Sequence, residues 1–134
     1  MGEKQKHFMM VFSNATIGME EEYLDWYAGQ HVHDLLRIPG FVGCQFYKVS
    51  DDQLEGHLPH RYLMIWEIET DDLASVMADV SARMKDGRTV FSESFDKNYI
   101  DITMTPITKY VTSTEIKGKT VNEVLKISEI FSQK

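Results

Sequence analysis

The stretch YLDWYAGQHVHDLLRIPG, residues 23–40, decides the fold of this chain. At 100° per residue it forms an amphipathic helix with an apolar stripe about 80° wide, and the stripe contains Leu24, Tyr27, His31, Leu35 and Ile38. The Pro-Gly pair at the end of the stretch stops the helix, since proline disfavours helical geometry in the residue before it. The stripe therefore predicts one helix that packs against a core.

His31 stands out in this stripe because its ring is titratable. Tyr27 lies on the stripe with it, and Tyr23 and Asp34 flank one edge. An inward imidazole beside phenols and a carboxylate has the composition of a small acid/base site. The same pattern also fits a histidine that only fills the core, and both readings stay open. His33 falls on the opposite, solvent side of the helix.

The length of the chain predicts a single domain over residues 1–134, large enough for one hydrophobic core. Its longest apolar run, Phe8 to Phe12, is far too short to span a membrane. Cys44 is the only cysteine, so no internal disulfide can form, which fits a reducing compartment. The sequence therefore predicts a cytoplasmic protein without membrane contact.

The charge pattern argues against two further classes of function. A net charge of −7, with basic residues scattered along the chain, opposes a nucleic-acid partner, because phosphate binding needs clustered Lys and Arg. His31 and His33 are too close in sequence to share a helix face, and no paired-cysteine or His-Glu-x-x-His motif occurs. No metal site is expected.

Periodicity along the chain predicts alternating strands and helices. Strands are expected over residues 6–14, 41–50, 60–69 and 99–110, and helices over residues 20–38 and 71–87. Residues 88–96 fit either a short helix or a loop. Pro106 interrupts the last strand, which marks an edge or an exit from the sheet. A capping box, Thr120-Val121-Asn122-Glu123, opens a final short helix with Val124, Leu125 and Phe131 inward.

The order β-α-β-β-α-β is that of the ferredoxin-like α+β fold, here over a core of residues 6–110 with a C-terminal extension of residues 111–134. The strands are apolar on both faces: Phe8, Met10 and Phe12 alternate with Met9 and Val11, and Phe41 and Tyr47 share a face of the second strand. Two helices cover only one face of such a sheet. A second copy is the simplest cover for the other, so a homodimer is predicted.

Four segments, MVFSN, WYAGQHVHDLLRIPGFV, CQFY and HRYLMIWEIE, resemble EthD-like proteins of the dimeric α/β-barrel superfamily. The most specific element is the arrangement WY-x3-H-x2-DLL-x2-PGF from Trp26 to Phe41. The resemblance spans residues 6–110. It implies a dimeric barrel with a small-molecule pocket between the sheet and the helices, where the helix geometry places His31.

Cyclase-like and isomerase-like members of that superfamily move protons on apolar substrates with a histidine and a tyrosine or an acid. The prediction is therefore a lyase, isomerase or cyclase that acts without metal or cofactor on an apolar or aromatic small molecule. His31 is the expected general acid/base, Asp34 its orienting partner and Tyr27 a hydrogen-bond donor. The expected substrate-binding residues are Tyr23, Asn14, Tyr47, Tyr62 and Trp66.

Two alternatives remain. Heme-degrading and quinone-forming oxygenases of the superfamily use an asparagine on the first strand and a tryptophan on the third, and Asn14 and Trp66 loosely match these positions. The heme enzymes also need an axial histidine on the second helix, and residues 71–86 contain none. This departure disfavours heme and leaves a cofactor-free oxygenase open. A non-catalytic binding or structural protein is the other alternative.

Overall fold

The computed structural model describes residues 2–126, which fall into two compact units, one ending at Met104 and one beginning at Thr105. The first unit contains β1 (Gln5–Ser13), α1 (Glu20–Trp26), a π-helical turn (Tyr27–His31), α2 (Val32–Leu36), β2 (Phe41–Lys48), β3 (Tyr62–Thr70), α3 (Leu73–Asp86) and β4 (Ile100–Met104). The second contains α4 (Val121–Leu125). Within residues 2–126, none of the helices has the length and apolar character needed to cross a membrane.

The four strands form one antiparallel sheet in the order β2-β3-β1-β4. This order and the sequence of elements are those of the ferredoxin-like α+β fold, so the predicted fold class is confirmed. β4 is shorter than the predicted strand over residues 99–110. Pro106 explains the early end, because proline has no N–H with which to continue the ladder.

The first helix is not a continuous α-helix. A π-helical turn over Tyr27–His31 separates α1 from α2. Such a turn closes i→i+5 hydrogen bonds, so residues before it are rotated about the axis relative to a regular α-helix. Tyr23 is consequently 0% exposed, whereas Leu24 is 41% exposed. The placement of Leu24 on the apolar stripe was therefore wrong, and Tyr23 takes that place.

The core lies between the helices and the inner face of the sheet, which is centred on Trp66 of β3. Gly40 permits the close approach of α3 at the start of β2. Its φ of 102° is left-handed, and a Cβ there would stand 3.2 Å from Val76 Cγ2 and 3.7 Å from Ile68 Cγ2. A side chain at this position would therefore meet both backbone strain and crowding.

A β-bulge between Phe41 and Gly43 changes the face that each residue of β2 occupies. Phe41 pairs with Ile68 and Cys44 pairs with Trp66, so both lie on the inner face. Tyr47 pairs with Leu63 and lies on the outer face. The prediction that Phe41 and Tyr47 share a face was wrong, because the bulge inserts one residue into the strict alternation.

The outer face of the sheet is also apolar. Its register places on this side the partly buried or exposed residues Phe8, Met10, Phe12, Leu63, Ile65, Ile100, Ile102 and Met104. They continue across three adjacent strands, β3, β1 and β4. A contiguous apolar surface of this kind is characteristic of an interaction site rather than of an ordinary solvated face.

The second unit contains the predicted capping box. Thr120 Oγ1 accepts a hydrogen bond from Glu123 N, and Glu123 Oε2 accepts one from Thr120 N. The two bonds satisfy orphan donors at the start of α4. Phe131, predicted to face inward from this helix, lies outside the described residues.

Candidate functional site

The imidazole of His31 is buried in a box of aromatic rings. The indole of Trp26 stacks on it with ring centroids 4.6 Å apart and planes 25° from parallel. Tyr27 and Trp66 meet it edge-on at centroid distances of 5.0 and 5.8 Å. Phe91 lies 5.9 Å away. The π-helical turn explains this concentration of rings, because it turns Tyr27 and His31 into the core together.

Four buried polar atoms in and around this box have no hydrogen-bond partner among the described residues. They are Tyr27 Oη, His31 Nδ1, Trp66 Nε1 and Thr89 Oγ1. A buried donor or acceptor left unpaired costs stability, so native proteins keep few of them. Three of these atoms belong to His31 and to two rings that pack against it, Tyr27 and Trp66. Unpaired polar atoms on residues around one titratable ring indicate a place where a polar ligand group binds.

A small cavity of about 50 Å³ adjoins the ring. It lies between the inner face of β1, the end of α3 and the loop of residues 88–99, and its lining is mostly apolar: Met9, Val11, His31, Leu35, Val80, Met84, Thr89, Phe91, Phe95, Tyr99 and Asp101. An apolar chamber with a few polar groups is the usual composition of a small-molecule site.

Burial controls the ionisation of this cluster. Desolvation lowers the pKa of His31 to about 4, and the nearby charge of Asp34 only partly opposes the shift. Burial raises the pKa of Tyr23 to about 12 and raises that of Tyr27 further above its usual range. At neutral pH the site therefore contains an uncharged imidazole and protonated phenols. The neutral ring of His31 presents one nitrogen there as a hydrogen-bond acceptor.

Asp34 is buried, but its hydrogen bonds go elsewhere than to the His31 ring. Its Oδ2 accepts a bond of 2.9 Å from the Val90 backbone N–H, and both of its oxygens accept from Gln30 Nε2 at 2.9 and 3.0 Å. Arg37 lies 3.9 Å from Oδ1. The structure thus ties this carboxylate to the loop after α3. It does not provide the orienting contact to the imidazole that the sequence predicts.

Tyr23 and Tyr62 form a second aromatic cluster next to the first. Tyr23 shares a hydrogen bond of 2.5 Å with the buried Ser13 hydroxyl, and its ring centroid lies 5.4 Å from that of Tyr27. Tyr62 lies 5.3 Å from Tyr23 and stacks on Phe46 with planes 11° apart. The structure therefore joins Tyr23 and Tyr62 to the wall of the site through Tyr27.

Asn14 and Tyr47, two further sequence candidates, lie away from this cluster. The Asn14 amide donates to Pro59 O and accepts from Arg61 N, which ties the end of β1 to the start of β3. It does not meet Trp66, which pairs with Met9 well back along β1. Tyr47 is on the outer face and donates its hydroxyl to Gln45.

Sequence reasoning missed several residues of the site because residues 88–96 showed no clear periodicity. This segment is a loop with one short bridge, Ala15 to Phe95, and it brings Thr89, Phe91 and Phe95 to the cavity. Trp26 was missed as well, since an α-helical period places it off the stripe. The aromatic spacing from Phe91 to Phe95 was the one available signal.

No protein-family model matches the chain, and no curated protein matches it. Solved structures show the fold. A variant of MhuD with two manganese protoporphyrin IX molecules bound per active site aligns with a TM-score of 0.55 at 14% identity, over 79% of this chain and 99% of that chain. The heme-degrader MhuD from Mycobacterium tuberculosis, with two hemes bound in its active site, aligns with the same score and identity over 78% and 99%. At these identities the likeness establishes the ferredoxin-like α+β fold alone.

These comparisons contradict the lyase, isomerase or cyclase function predicted from the sequence. The two aligned structures are of MhuD, a heme-degrader, and not of an acid/base enzyme of that kind. The geometry supplies the physical reason. Asp34, the expected orienting partner of His31, is bonded to the Val90 main chain and not to the imidazole, so the predicted pair does not form.

Heme does not fit the residues of this site. The lining of the cavity includes no lysine or arginine to pair with the propionates, and its volume of about 50 Å³ is far below the several hundred Å³ of a typical cofactor pocket. α3 carries no histidine. Within residues 2–126, no group of three or more His, Cys, Asp or Glu side chains is arranged to hold a metal ion.

Proposed function

We propose that this protein is a cofactor-independent monooxygenase acting on a small hydroxylated aromatic compound. The observation that carries the proposal is the set of four unpaired buried polar atoms in and around an aromatic box, with His31 at its centre. Aromatic walls suit a flat ring, and the unpaired atoms suit its hydroxyl groups and a reduced oxygen species. The fold shared with MhuD, a heme-degrader, is consistent with oxygen chemistry on this scaffold.

The ionisation states give each group a role. The neutral imidazole of His31 accepts the proton of a substrate hydroxyl, which makes the ring electron-rich enough to reduce dioxygen. Trp66 Nε1 has no acceptor among the described residues, and we assign it, together with the Tyr27 hydroxyl, to the stabilisation of the oxygen anions that form. The high pKa of Tyr27 keeps its proton in place as a donor.

The reaction balances without an outside reductant. A hydroquinone, written as a ring with two hydroxyls, takes up one O₂ and yields a hydroxyquinone and one H₂O. One oxygen atom forms the new carbon–oxygen bond, and the other leaves as water with two hydrogens that the substrate supplies. All electrons therefore come from the substrate.

Oxygen consumption tests this proposal. We expect the purified protein to accelerate O₂ uptake by 1,4-dihydroxynaphthalene above the uncatalysed rate, and ¹⁸O₂ to place one labelled atom in the product. Trp66→Phe keeps the aromatic surface and removes the donor, so the rate should fall on the order of 10²-fold. Ligand binding without enhanced O₂ uptake would identify a binding protein and contradict the oxygenase.

We also propose that the active form is a homodimer in which the outer faces of two sheets pack together. A face of this size is expected to bury on the order of 1,500 Å² in total or more. Sedimentation should show a dimer at micromolar concentration, and Met10→Glu, in the middle of the face, should give monomers. Leu58→Glu, at an exposed loop position, is the control and should stay dimeric. A stable wild-type monomer would contradict the proposal.

Membership of the EthD-like group is likewise a proposal, supported by the residues from Trp26 to Phe41.

A further inference from the structure

Two side chains form hydrogen bonds with both main-chain polar groups of one residue, Val90. Asp34 Oδ2 accepts a hydrogen bond of 2.9 Å from Val90 N–H, and Trp26 Nε1 donates one of 2.9 Å to Val90 O. Asp34 is buried, whereas Val90 lies in a loop and is exposed. Main-chain groups of exposed loops usually form hydrogen bonds with water. A buried carboxylate that binds such a group instead indicates that the position of this loop matters. Asp34, Trp26 and Val90 are called the Val90 clamp below.

The clamp sets the position of the residue that follows it. Phe91 lines the cavity beside His31, with its ring centroid 5.9 Å from that of the imidazole and 6.3 Å from that of Trp26. It is also 43% exposed, so it separates the cavity from solvent. Phe91 thus occupies the position in which an incoming aromatic ring would contact both residues.

The chain on either side of the clamp is anchored independently. Thr89 N donates to Arg83 O at 3.0 Å, at the end of α3. Farther along, Thr16 Oγ1 donates to Glu93 O at 2.6 Å. Between these anchors, the N–H and C=O of Val90 are bonded to the side chains of Asp34 and Trp26. Release of the clamp would therefore free Val90 and Phe91 without disturbing the helix or the sheet.

The size of the cavity shows why such a release is needed. About 50 Å³ has room for one or two waters, whereas an apolar cavity that takes up benzene measures about 150 Å³. We propose that Phe91 is a built-in plug and that the Val90 clamp is its latch: an aromatic ligand enters when the latch opens, and its ring replaces that of Phe91 against Trp26 and His31. The inference rests on the proposed function only in taking the ligand to be aromatic.

Two variants and one control test the latch and the plug separately. Asp34→Ala removes the acceptor for Val90 N–H, so hydrogen exchange at that amide should speed up on the order of tenfold or more, and binding of 1-naphthol should speed up with it. Phe91→Ala removes the plug and should speed up 1-naphthol binding by a similar factor. Gln30→Ala is the control, because it removes the side chain that donates the other hydrogen bonds to Asp34 and leaves the Val90 contacts in place.

Stopped-flow quenching of tryptophan fluorescence by 1-naphthol measures binding, and amide exchange measures the latch. Wild-type exchange at Val90 in Asp34→Ala would overturn the latch, and an unchanged binding rate in Phe91→Ala would overturn the plug while the proposed function stands. Absence of 1-naphthol binding in every variant, Phe91→Ala included, would overturn both the plug and the proposed function. Faster binding in the two variants with wild-type behaviour in Gln30→Ala would support the whole inference.

Discussion

Replacing His31 with leucine is expected to lower the rate of substrate-dependent oxygen uptake by about 10²–10⁴, the usual contribution of a positioned acid/base group. The substitution keeps side-chain bulk and removes both ring nitrogens. It also removes Nδ1, a buried atom that lacks a hydrogen-bond partner among the described residues, so no other group loses a bond. The melting temperature should therefore be kept or raised while the activity falls.

His33→Leu is the matched control for this experiment. His33 lies on the same helical segment as His31, in α2, but its side chain is exposed. It should retain wild-type oxygen uptake and wild-type stability. Full activity in His31→Leu would remove His31 from the proposed mechanism. An activity loss accompanied by a large drop in melting temperature would instead identify a structural role for the ring.

The fold was predictable because alternation along strands and a single helical period determine which elements form and how they pair. Those rules hold over most of residues 5–104. They failed where the backbone departs from its ideal repeat: at the π-helical turn, which exposes Leu24 and buries Tyr23, and at the bulge after Phe41, which moves Tyr47 to the outer face. Each departure inserts one residue into a regular period, and no residue type announces it in advance.

Sequence periodicity predicted the part of the site that lies on the helix and not the part that lies on the loop after α3. The buried position of His31 followed from the helix, because Tyr27, Leu35 and Ile38 on the same stripe are also buried. The groups that define its chemistry come from a loop without periodicity, which contributes Thr89 and Phe91. Asp34 illustrates the difference. Sequence spacing places it beside His31, but its bond to Val90 depends on a contact that sequence spacing does not encode.

Lowering the pH from 7 to 4 is expected to remove about 3 kcal/mol of stability through His31 alone. Burial lowers the pKa of the ring from 6.5 to about 4 in the folded protein, while the unfolded chain keeps the ordinary value. Between pH 6.5 and about pH 4, the unfolded state binds more protons than the folded state. The contribution of the ring to stability is therefore full above pH 6.5, declines as the pH falls, and is lost below about 4.

Urea unfolding of the wild type and of two variants isolates this effect, because other groups also titrate in the same range. The difference in unfolding free energy between pH 7 and pH 4 should be smaller in His31→Leu than in the wild type by about 3 kcal/mol. His33→Leu, at an exposed position of the same helical segment, is the control and should match the wild type. Equal pH dependence in all three proteins would mean that the His31 ring is hydrated. The neutral proton acceptor on which the proposed oxygenase depends would then be absent at pH values just below neutrality.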